Sequence, residues 1–219
     1  MKSNSLDEAI GFLNNQLAAL SARSMTLFYA SCSERFIGLY ADFAAKANWG
    51  DFQCVRNALD NAWKFLTGGV INPVNLETSL ERLEECTPHI DDFDYIETTL
   101  AQDVCICVDA TLRLCLGKEE FIPIVEYAFE AIRVSKCIVE TGYYDLGEGA
   151  EAKTFEATLL QDERFIEEVK FQQQDINLLS AISYADNKFI NNLQQLAIKN
   201  KWTVAKLLGE GFELPDLKT

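Results

Sequence analysis

The spacing of apolar residues, together with the rarity of helix-breaking residues, constrains the fold of this chain more than any other feature. Glycine occurs 11 times and proline 4 times in 219 residues, and few breakers favour long helices over short strands joined by turns. Near the N-terminus, Ile10, Leu13 and Leu17 fall on one stripe of a helix. Ser5 precedes Glu8 by three residues, the spacing of a capping box at a helix start. We therefore predict an all-α fold.

Further residues mark where the predicted helices begin and end. Asp51 follows a glycine and is expected to cap the third helix. Asn72 followed by Pro73 is typical of a helix start, because proline suits the first helical position. Pro88 predicts the end of that fourth helix, since the residue before a proline avoids the helical conformation.

The pattern predicts a single domain over residues 1–219, built as a bundle of about seven to nine helices. The sequence contains no internal repeat, no low-complexity run and no pair of predicted strands joined by a hairpin turn. The only stretch typical of a flexible connection is rich in glycine and acidic residues. The expected division is a core at about 5–141, a linker at about 142–153, C-terminal helices at about 154–208 with one long helix within 154–182, and a loose tail at 209–219.

The charge balance favours some classes of partner over others. Acidic residues outnumber lysine and arginine, which gives a formal net charge of −15 at pH 7. Nucleic acids and anionic membranes are bound through lysine and arginine, so this charge argues against both. A surplus of carboxylates is compatible with solubility and with a basic protein partner. We therefore expect no nucleic acid and no membrane among the partners.

The seven cysteines indicate a reducing compartment. None forms a C-x-x-C pair, their number is odd, and most lie within apolar helical stretches. This is typical of reduced cysteines that act as small core hydrophobes in the cytosol. The first residues contain acids and no apolar run of signal-peptide length, and no segment reaches the roughly 18 uncharged residues that span a bilayer. We predict a cytoplasmic location.

Three carboxylates crowd the segment PHIDDFD, directly before an apolar stretch. Asp91 is expected to accept hydrogen bonds from the first turn of the next helix, and Asp92 and Asp94 lie where the helix dipole favours negative charge. The alternative is that the three aspartates bind a ligand such as Mg²⁺, which needs one or two carboxylates plus water. His89, the only histidine, is expected at the surface because a transition-metal site normally needs several soft ligands.

Two other carboxylates fall on the apolar faces of their helices. In the second predicted helix, at about 23–47, Glu34 shares a face with apolar residues, whereas Ser31 and Arg35 fall on the predicted solvent stripe. In the helix that follows PHIDDFD, Asp103 shares a face with leucine and cysteine. A lone buried carboxylate is strongly unfavourable unless it is paired, hydrogen-bonded or protonated. We therefore expect other segments to supply a partner for each.

The third predicted helix carries suitable partners. Arg56, Asp60 and Trp63 follow one another at i, i+4 and i+7, close to one face. A guanidinium and an indole N–H both donate hydrogen bonds to carboxylates. We therefore hypothesise one buried or cleft-lining polar network, with a binding role and a purely structural role both left open. Its expected members are Glu34, Arg56, Asp60, Trp63 and Asp103, with Arg35 at its rim.

Several motifs of the chain occur together in one known family. They are Cys32-x-Glu34-Arg35, Asp60-x-x-Trp63, Asp91-Asp92-Phe93-Asp94 and Asp103-x-Cys105, in that order. With these motifs the chain resembles the YjaG-like family, also called domain of unknown function 416, a group of bacterial all-helical proteins. The resemblance is strongest over about 25–137. It implies a helical fold and suggests a link to histidine-kinase signalling, but it implies no activity, because none is established for the family.

Three classes of function fit these features. The first is a cytosolic, acidic protein-interaction module linked to bacterial signalling. The second is an acidic inhibitor or immunity-type protein that covers a basic effector, and the third is a small-ligand or divalent-metal binder that uses helix-borne carboxylates. The sequence has no Walker-type or dinucleotide-binding motif and no suitably placed histidine base, so the balance is against an enzyme. We assign no catalytic residue, no cofactor and no metal site.

A homodimer is also compatible with the sequence. The first helix and a stripe formed by Phe121, Val125 and Phe129 offer apolar surface that a second copy would cover. Packing within one chain explains the same pattern, and the sequence does not separate the two explanations.

Overall fold

Helices account for every regular element in the part of the chain that the structure describes, which confirms the predicted all-α fold. The structure is a computed structural model and describes residues 5–69, 72–93, 96–118, 124–141 and 150–209. None of the helices within these ranges combines the length and the apolar character needed to cross a bilayer. The helices are α1 (Leu6–Leu17), α2 (Ala22–Ala47), α3 (Phe52–Leu66), α4 (Pro73–Cys86), α5 (Ile96–Cys115), α6 (Ile124–Thr141), α7 (Ala150–Leu159), α8 (Glu163–Ser180), α9 (Asn187–Lys199) and α10 (Val204–Leu208), with a single 3₁₀ turn at Ile90–Asp92.

The predicted helix starts are confirmed at three positions. Ser5, Asp51 and Asn72 each accept a hydrogen bond from a backbone amide of the first turn, at 3.2, 3.1 and 3.1 Å. Such a cap contributes about 0.5–2 kcal/mol. The predicted end of α4 is also confirmed, because that helix stops at Cys86, two residues before Pro88.

Helix α2 is the centre of the bundle. Fifteen of its 26 residues are buried, without interruption from Thr26 to Ile37, and it packs against α3, α5, α8 and α9. A helix that is covered on all sides has no solvent stripe. The predicted solvent stripe is therefore wrong where it includes Ser31 and Arg35, which are both buried.

The C-terminal half differs from the prediction in where its helices break. The single long helix expected within 154–182 is two helices, α7 and α8, separated at Leu160–Asp162. Asp162 caps α8 by accepting a hydrogen bond from the Arg164 amide at 2.9 Å. The described residues therefore hold ten α-helices, one more than the upper end of the predicted range. The last part of the predicted linker, 150–153, is helical, whereas 142–149 and 210–219 lie outside the described residues.

The apolar stripe that suggested a homodimer is used within the chain. Val125 and Phe129 are both buried, and the Phe129 ring packs on the Phe165 ring of α8 with 4.7 Å between centroids. Phe121 lies outside the described residues. The two described members of the stripe are therefore not available to a second copy.

The segment that precedes α10 closes the bundle against α2. Trp202 is fully buried, and its backbone N–H donates to the Arg35 carbonyl at 2.6 Å. One turn further along α2, a Cβ atom added at Gly38 would lie 2.6 Å from the Trp202 carbonyl oxygen. Glycine at position 38 therefore permits the close approach of the two backbones.

Replacing Gly38 with alanine is expected to lower the free energy of unfolding by about 1–3 kcal/mol, because the added methyl group collides with a backbone carbonyl. The matched control is Gly11→Ala in α1, where nothing lies within 4 Å of the added Cβ. That change is expected to raise the free energy of unfolding by about 0.5–1 kcal/mol through helix propensity. Urea unfolding of both variants measures the difference. A stabilised Gly38→Ala variant would contradict the packing.

Candidate functional site

Glu34 lies inside the bundle, where α3 supplies partners for both of its carboxylate oxygens. Its side chain is 4% exposed. Arg56 donates from Nη1 to Oε1 at 2.6 Å and from Nη2 to Oε2 at 3.0 Å. Trp63 donates from Nε1 to Oε2 at 2.8 Å. A bidentate guanidinium and an indole donor together offset the loss of water around this carboxylate.

The same arginine connects Glu34 to the surface. Arg56 Nη2 lies 2.7 Å from Asp60 Oδ1, one helical turn along α3, and the Asp60 side chain is 53% exposed. Burial opposes the charge of Arg56, but hydrogen bonds and attraction from Glu34 and Asp60 raise its pKa. The Nε atom of Arg56 is buried without a hydrogen-bond partner. We call Glu34, Arg56, Asp60 and Trp63 the Glu34 network, and the structure brings these four residues together.

A cleft of about 400 Å³ opens between α3 and α4 beside Asp60. Its lining includes the polar side chains of Asn57, Asn61, Asn75 and Arg82. Asn61 Nδ2 donates to a serine hydroxyl of α4 at 3.1 Å, which holds the two helices together at the cleft. The volume falls in the range of small-molecule sites, and amides with one guanidinium suit a small polar ligand.

Arg35 belongs to a different network, and its predicted place at the rim of the Glu34 network is wrong. Its side chain is 1% exposed. The guanidinium donates from Nη2 to Glu168 Oε1 at 2.8 Å and from Nη1 to Asp175 Oδ2 at 2.6 Å. Both carboxylates come from α8, which covers the side of α2 that the sequence assigned to solvent.

Neutral donors complete this second network. Trp202 Nε1 donates to Glu168 Oε2 at 2.9 Å, Gln172 Nε2 donates to Glu168 Oε1 at 3.1 Å, and Ser31 Oγ donates to Asp175 Oδ2 at 2.7 Å. We call these residues, with Arg35, the Arg35 network. It ties α2, α8 and the Trp202 segment together, and its members are all buried.

The Arg35 network encloses one cation between two carboxylates. Burial opposes the charge of Arg35, but Glu168 and Asp175 raise the pKa of Arg35 well above its usual value. One of the two negative charges is left without a cation, and the hydroxyl, amide and indole donors stabilise it. Because solvent does not reach these groups, the arrangement holds helices in place and does not present a reactive group.

Sequence reasoning missed Glu168, Gln172 and Asp175, although a helical pattern could have found them. They follow Phe165 at i+3, i+7 and i+10, in step with the apolar residues that α8 buries. Polar side chains at buried helical positions require partners. The same argument that selected Glu34 in α2 therefore also applies to α8.

Asp103 does not join the Glu34 network, so this part of the hypothesis is wrong. It lies on α5 and is partly buried, and its Oδ2 atom is enclosed without a hydrogen-bond partner. Burial, with a smaller effect of the nearby Glu130 carboxylate of α6, raises the pKa of Asp103 to about 7. Burial thus favours the protonated form of this carboxyl, and no cation of the described residues is paired with it.

Asp91 and Asp92 of the PHIDDFD segment do not start helix α5. Asp91 and Asp92 are exposed in the 3₁₀ turn, and α5 begins at Ile96, so the predicted cap at Asp91 is wrong. Asp94 lies outside the described residues, and His89 is exposed. In the described ranges, no three histidine, cysteine or acidic side chains converge as a metal site would require.

Sequence comparison relates the chain to proteins of unknown function. A family model described as "Protein of unknown function (DUF416)" matches residues 13–203. The uncharacterized protein YjaG of Escherichia coli (strain K12) is 32% identical over 120 residues, which cover 55% of this chain and 59% of that protein. YjaG of Salmonella typhimurium is 31% identical over the same length. The chain thus matches less than two thirds of the length of these relatives.

A solved structure has the same fold. The crystal structure of a DUF416 family protein from Shewanella baltica OS155 superposes with a TM-score of 0.69 at 19% identity, covering 87% of this chain and 95% of that chain. The superposition shows a shared arrangement of helices. At this low sequence identity it carries no information about what either protein binds. Because the family model spans the central helix α2, both polar networks and the Trp202 segment, the chain belongs to the DUF416 family.

Proposed function

We propose that this chain is a protein-interaction module that binds a basic segment of a partner protein on the outer face of the α3–α4 pair. The proposal is supported by the charge, the exposed apolar side chains and the helix-end electrostatics of this face. We call this surface, together with the residues beside the two helix ends, the acidic face. Its exposed carboxylates are those of Asp60 on α3, of Glu77, Glu81, Glu84 and Glu85 on α4, and of Asp51, Asp91 and Asp92 beside the helix ends.

Few cations offset this negative charge. Among the described residues between 51 and 93, the exposed cationic side chains are Lys64 and Arg82. Arg56 is already bound to Glu34 and Asp60. Clustered carboxylates raise the rate at which a basic segment meets this face and favour its correct orientation.

The glutamates of helix α4 occupy positions that lower the stability of this helix. This is the main observation in support of the proposal. Glu81 lies four residues from both Glu77 and Glu85, and like charges at this spacing repel by about 0.2–0.5 kcal/mol per pair. Glu84 and Glu85 lie in the last turn, which has no basic residue, although the helix dipole there disfavours negative charge. Side chains that oppose local stability are expected where binding requires them.

Exposed apolar side chains accompany the acids at one end of the face. Trp49 precedes α3, is 37% exposed, and packs on Phe93 with 5.2 Å between ring centroids. Ile90, three residues before Phe93, is 49% exposed. Partly exposed aromatic residues surrounded by charged residues are typical anchors of protein interfaces. The expected partner segment therefore combines lysine or arginine with at least one apolar residue.

Neutralising the glutamates of α4 is expected to weaken binding of a basic amphipathic peptide by about tenfold, because each rim charge contributes about 0.2–1 kcal/mol. The variant carries Glu81→Gln, Glu84→Gln and Glu85→Gln. The probe is a synthetic helical peptide with lysines on one face and leucines on the other, measured by calorimetry at low and high salt. Binding to the wild type is expected to fall as salt rises.

A matched control separates the acidic face from the net charge of the chain. The control carries Glu126→Gln, Glu156→Gln and Glu163→Gln, which removes three exposed charges outside the acidic face. It is expected to bind the peptide as the wild type does. Equal weakening by both triple variants would show that only the net charge matters, and the proposal would then fail.

The two alternative functions differ in what supports them. An inhibitor that covers a basic effector would use the same acidic face, so it is a special case of the proposal. A small-ligand binder is favoured by the cleft between α3 and α4, with Arg82 and its three asparagine amides. A rise in melting temperature with a small dicarboxylate or amino acid, lost in Arg82→Gln, would support this second candidate.

The proposal also includes a cytosolic location for this chain and a role in bacterial signalling. All seven cysteines are unbridged, which favours a partner in the cytosol. The link to bacterial signalling rests on the family resemblance. It predicts that the basic segment belongs to a signalling protein.

A further inference from the structure

Two of the seven cysteines differ from the others in their access to solvent. Cys54 and Cys86 are half-buried, whereas the other five are buried. Cys54 also lines the cleft between α3 and α4. Oxidants in solution therefore reach this pair more easily than any other thiol of the chain.

The fold places these two thiols together. Cys54 lies in the first turn of α3 and Cys86 is the last residue of α4. Cys54 Sγ lies 3.5 Å from the Arg82 carbonyl oxygen, in the last turn of α4. Burial raises the pKa of the Cys86 thiol, and Cys86 is close enough to Cys54 for the Cys54 thiol to raise this pKa further. Both sulfur atoms thus occupy the junction of the two helix ends.

The backbone around the pair is held in place by Tyr40 of α2. Tyr40 Oη donates to the Cys86 carbonyl oxygen at 2.7 Å. On the other side, a Cβ atom at Gly50 would lie 2.6 Å from the same hydroxyl oxygen, so Tyr40 packs directly on the turn before α3. The end of α4 and the start of α3 are therefore both held against one side chain.

We propose that Cys54 and Cys86 are a peroxide-sensitive dithiol, which closes to a disulfide between α3 and α4. In the first step, the Cys54 sulfur attacks hydrogen peroxide, forms an S–O bond, breaks the O–O bond and releases water, leaving a sulfenic acid. In the second step, the Cys86 sulfur attacks the Cys54 sulfur and forms the S–S bond. The hydroxide that leaves Cys54 takes the Cys86 proton and departs as the second water.

The surroundings of the two thiols assign their order. Burial and the neighbouring Cys54 raise the pKa of the Cys86 thiol to about 12, so Cys86 is a poor first nucleophile. Cys54 faces the cleft and meets the oxidant first. The other thiol of this region, Cys105 of α5, is only 2% exposed, and burial raises its pKa to about 12 as well. This site does not depend on the proposed function, because it concerns only the thiols.

Peptide mass spectrometry of the full chain tests the proposal. The reduced protein is treated with hydrogen peroxide, quenched, alkylated in denaturant and digested without reductant. We expect a linked peptide pair that contains Cys54 and Cys86 and lacks two hydrogen atoms. This pair is expected to be lost in Cys54→Ser and in Cys86→Ser, and retained in the control Cys115→Ser, which removes a buried thiol.

A trapping experiment keeps the proposal falsifiable if a variant folds poorly. In Cys86→Ser, the Cys54 sulfenic acid has no second thiol and is expected to be captured by dimedone. In the wild type the same adduct is expected to be scarce, because the disulfide forms first. A disulfide from Cys54 or Cys86 to Cys105, or peroxide-treated wild type with both thiols still free, would overturn the proposal.

Discussion

Replacing Arg35 with leucine is expected to lower the free energy of unfolding by about 3–5 kcal/mol, because it leaves two carboxylates in the core without a cation. Glu168 and Asp175 are both buried and both bind Arg35. The neutral donors that remain cannot balance two negative charges in a region that excludes water.

A series of variants checks this explanation by urea unfolding at neutral pH. Asp175→Asn leaves one cation and one anion in the network, so it is expected to be less harmful than Arg35→Leu. Lys170→Leu removes an exposed cation from the same helix α8 and is expected to change stability by no more than about 0.5 kcal/mol. If Arg35→Leu and Lys170→Leu had similar midpoints, the Arg35 network would not stabilise the fold.

The fold was predictable from the sequence because its determinants are local. Capping residues such as Ser5, Asp51 and Asn72 act within a few residues, and the apolar period of each helix is visible in the sequence. The partners of Glu34 were predictable for the same reason, since Arg56 and Trp63 share one face of a single neighbouring helix. The break between α7 and α8 was missed because no glycine or proline marks it.

Arg35 shows what the sequence could not provide. Its position in α2 was assigned to solvent because one side of that helix is less apolar than the other. Its partners Glu168 and Asp175 are 133 and 140 residues away in the chain. Which helix covers a polar side depends on the order in which the bundle packs, and a single sequence does not show that order. The same limit applies to Asp103. Asp103 and Glu34 each lie on the apolar face of a helix, but this pattern does not show that the two faces contact the same neighbouring helix.

The two polar networks differ in their exposure to solvent, and only an exposed network can contact a partner. The Arg35 network is closed, so changing it is expected to alter stability and not binding. The Glu34 network ends at the half-exposed Asp60, beside the cleft and within the acidic face. A change at Asp60 therefore affects a surface, whereas a change at Glu34 first affects the interior. Binding experiments are best directed at the surface carboxylates.

Asp103→Asn is expected to stabilise the protein above pH 7 and to remove part of the pH dependence of unfolding. Burial and Glu130 raise the pKa of this carboxyl from 3.8 to about 7 in the folded chain. Between these values the folded state binds the proton and the unfolded state does not, so stability falls as pH rises from about 4 to about 7. Above pH 7 the ionised carboxylate is retained at a penalty of about 2–4 kcal/mol.

Asparagine has nearly the same shape and no charge, so it avoids this penalty at every pH. The groups that face Asp103 are Glu130 and Tyr127 of α6 and Cys107 of its own helix. Urea unfolding of wild type and variant at several pH values between about 4 and about 8 gives the difference directly. We expect the stability of the variant relative to wild type to increase as pH rises through this range. Glu130→Gln is expected to shift the window to lower pH, because it removes the carboxylate that helps to raise the pKa of Asp103. Parallel pH profiles for wild type and Asp103→Asn would mean that the carboxyl is ionised and solvated in the folded protein.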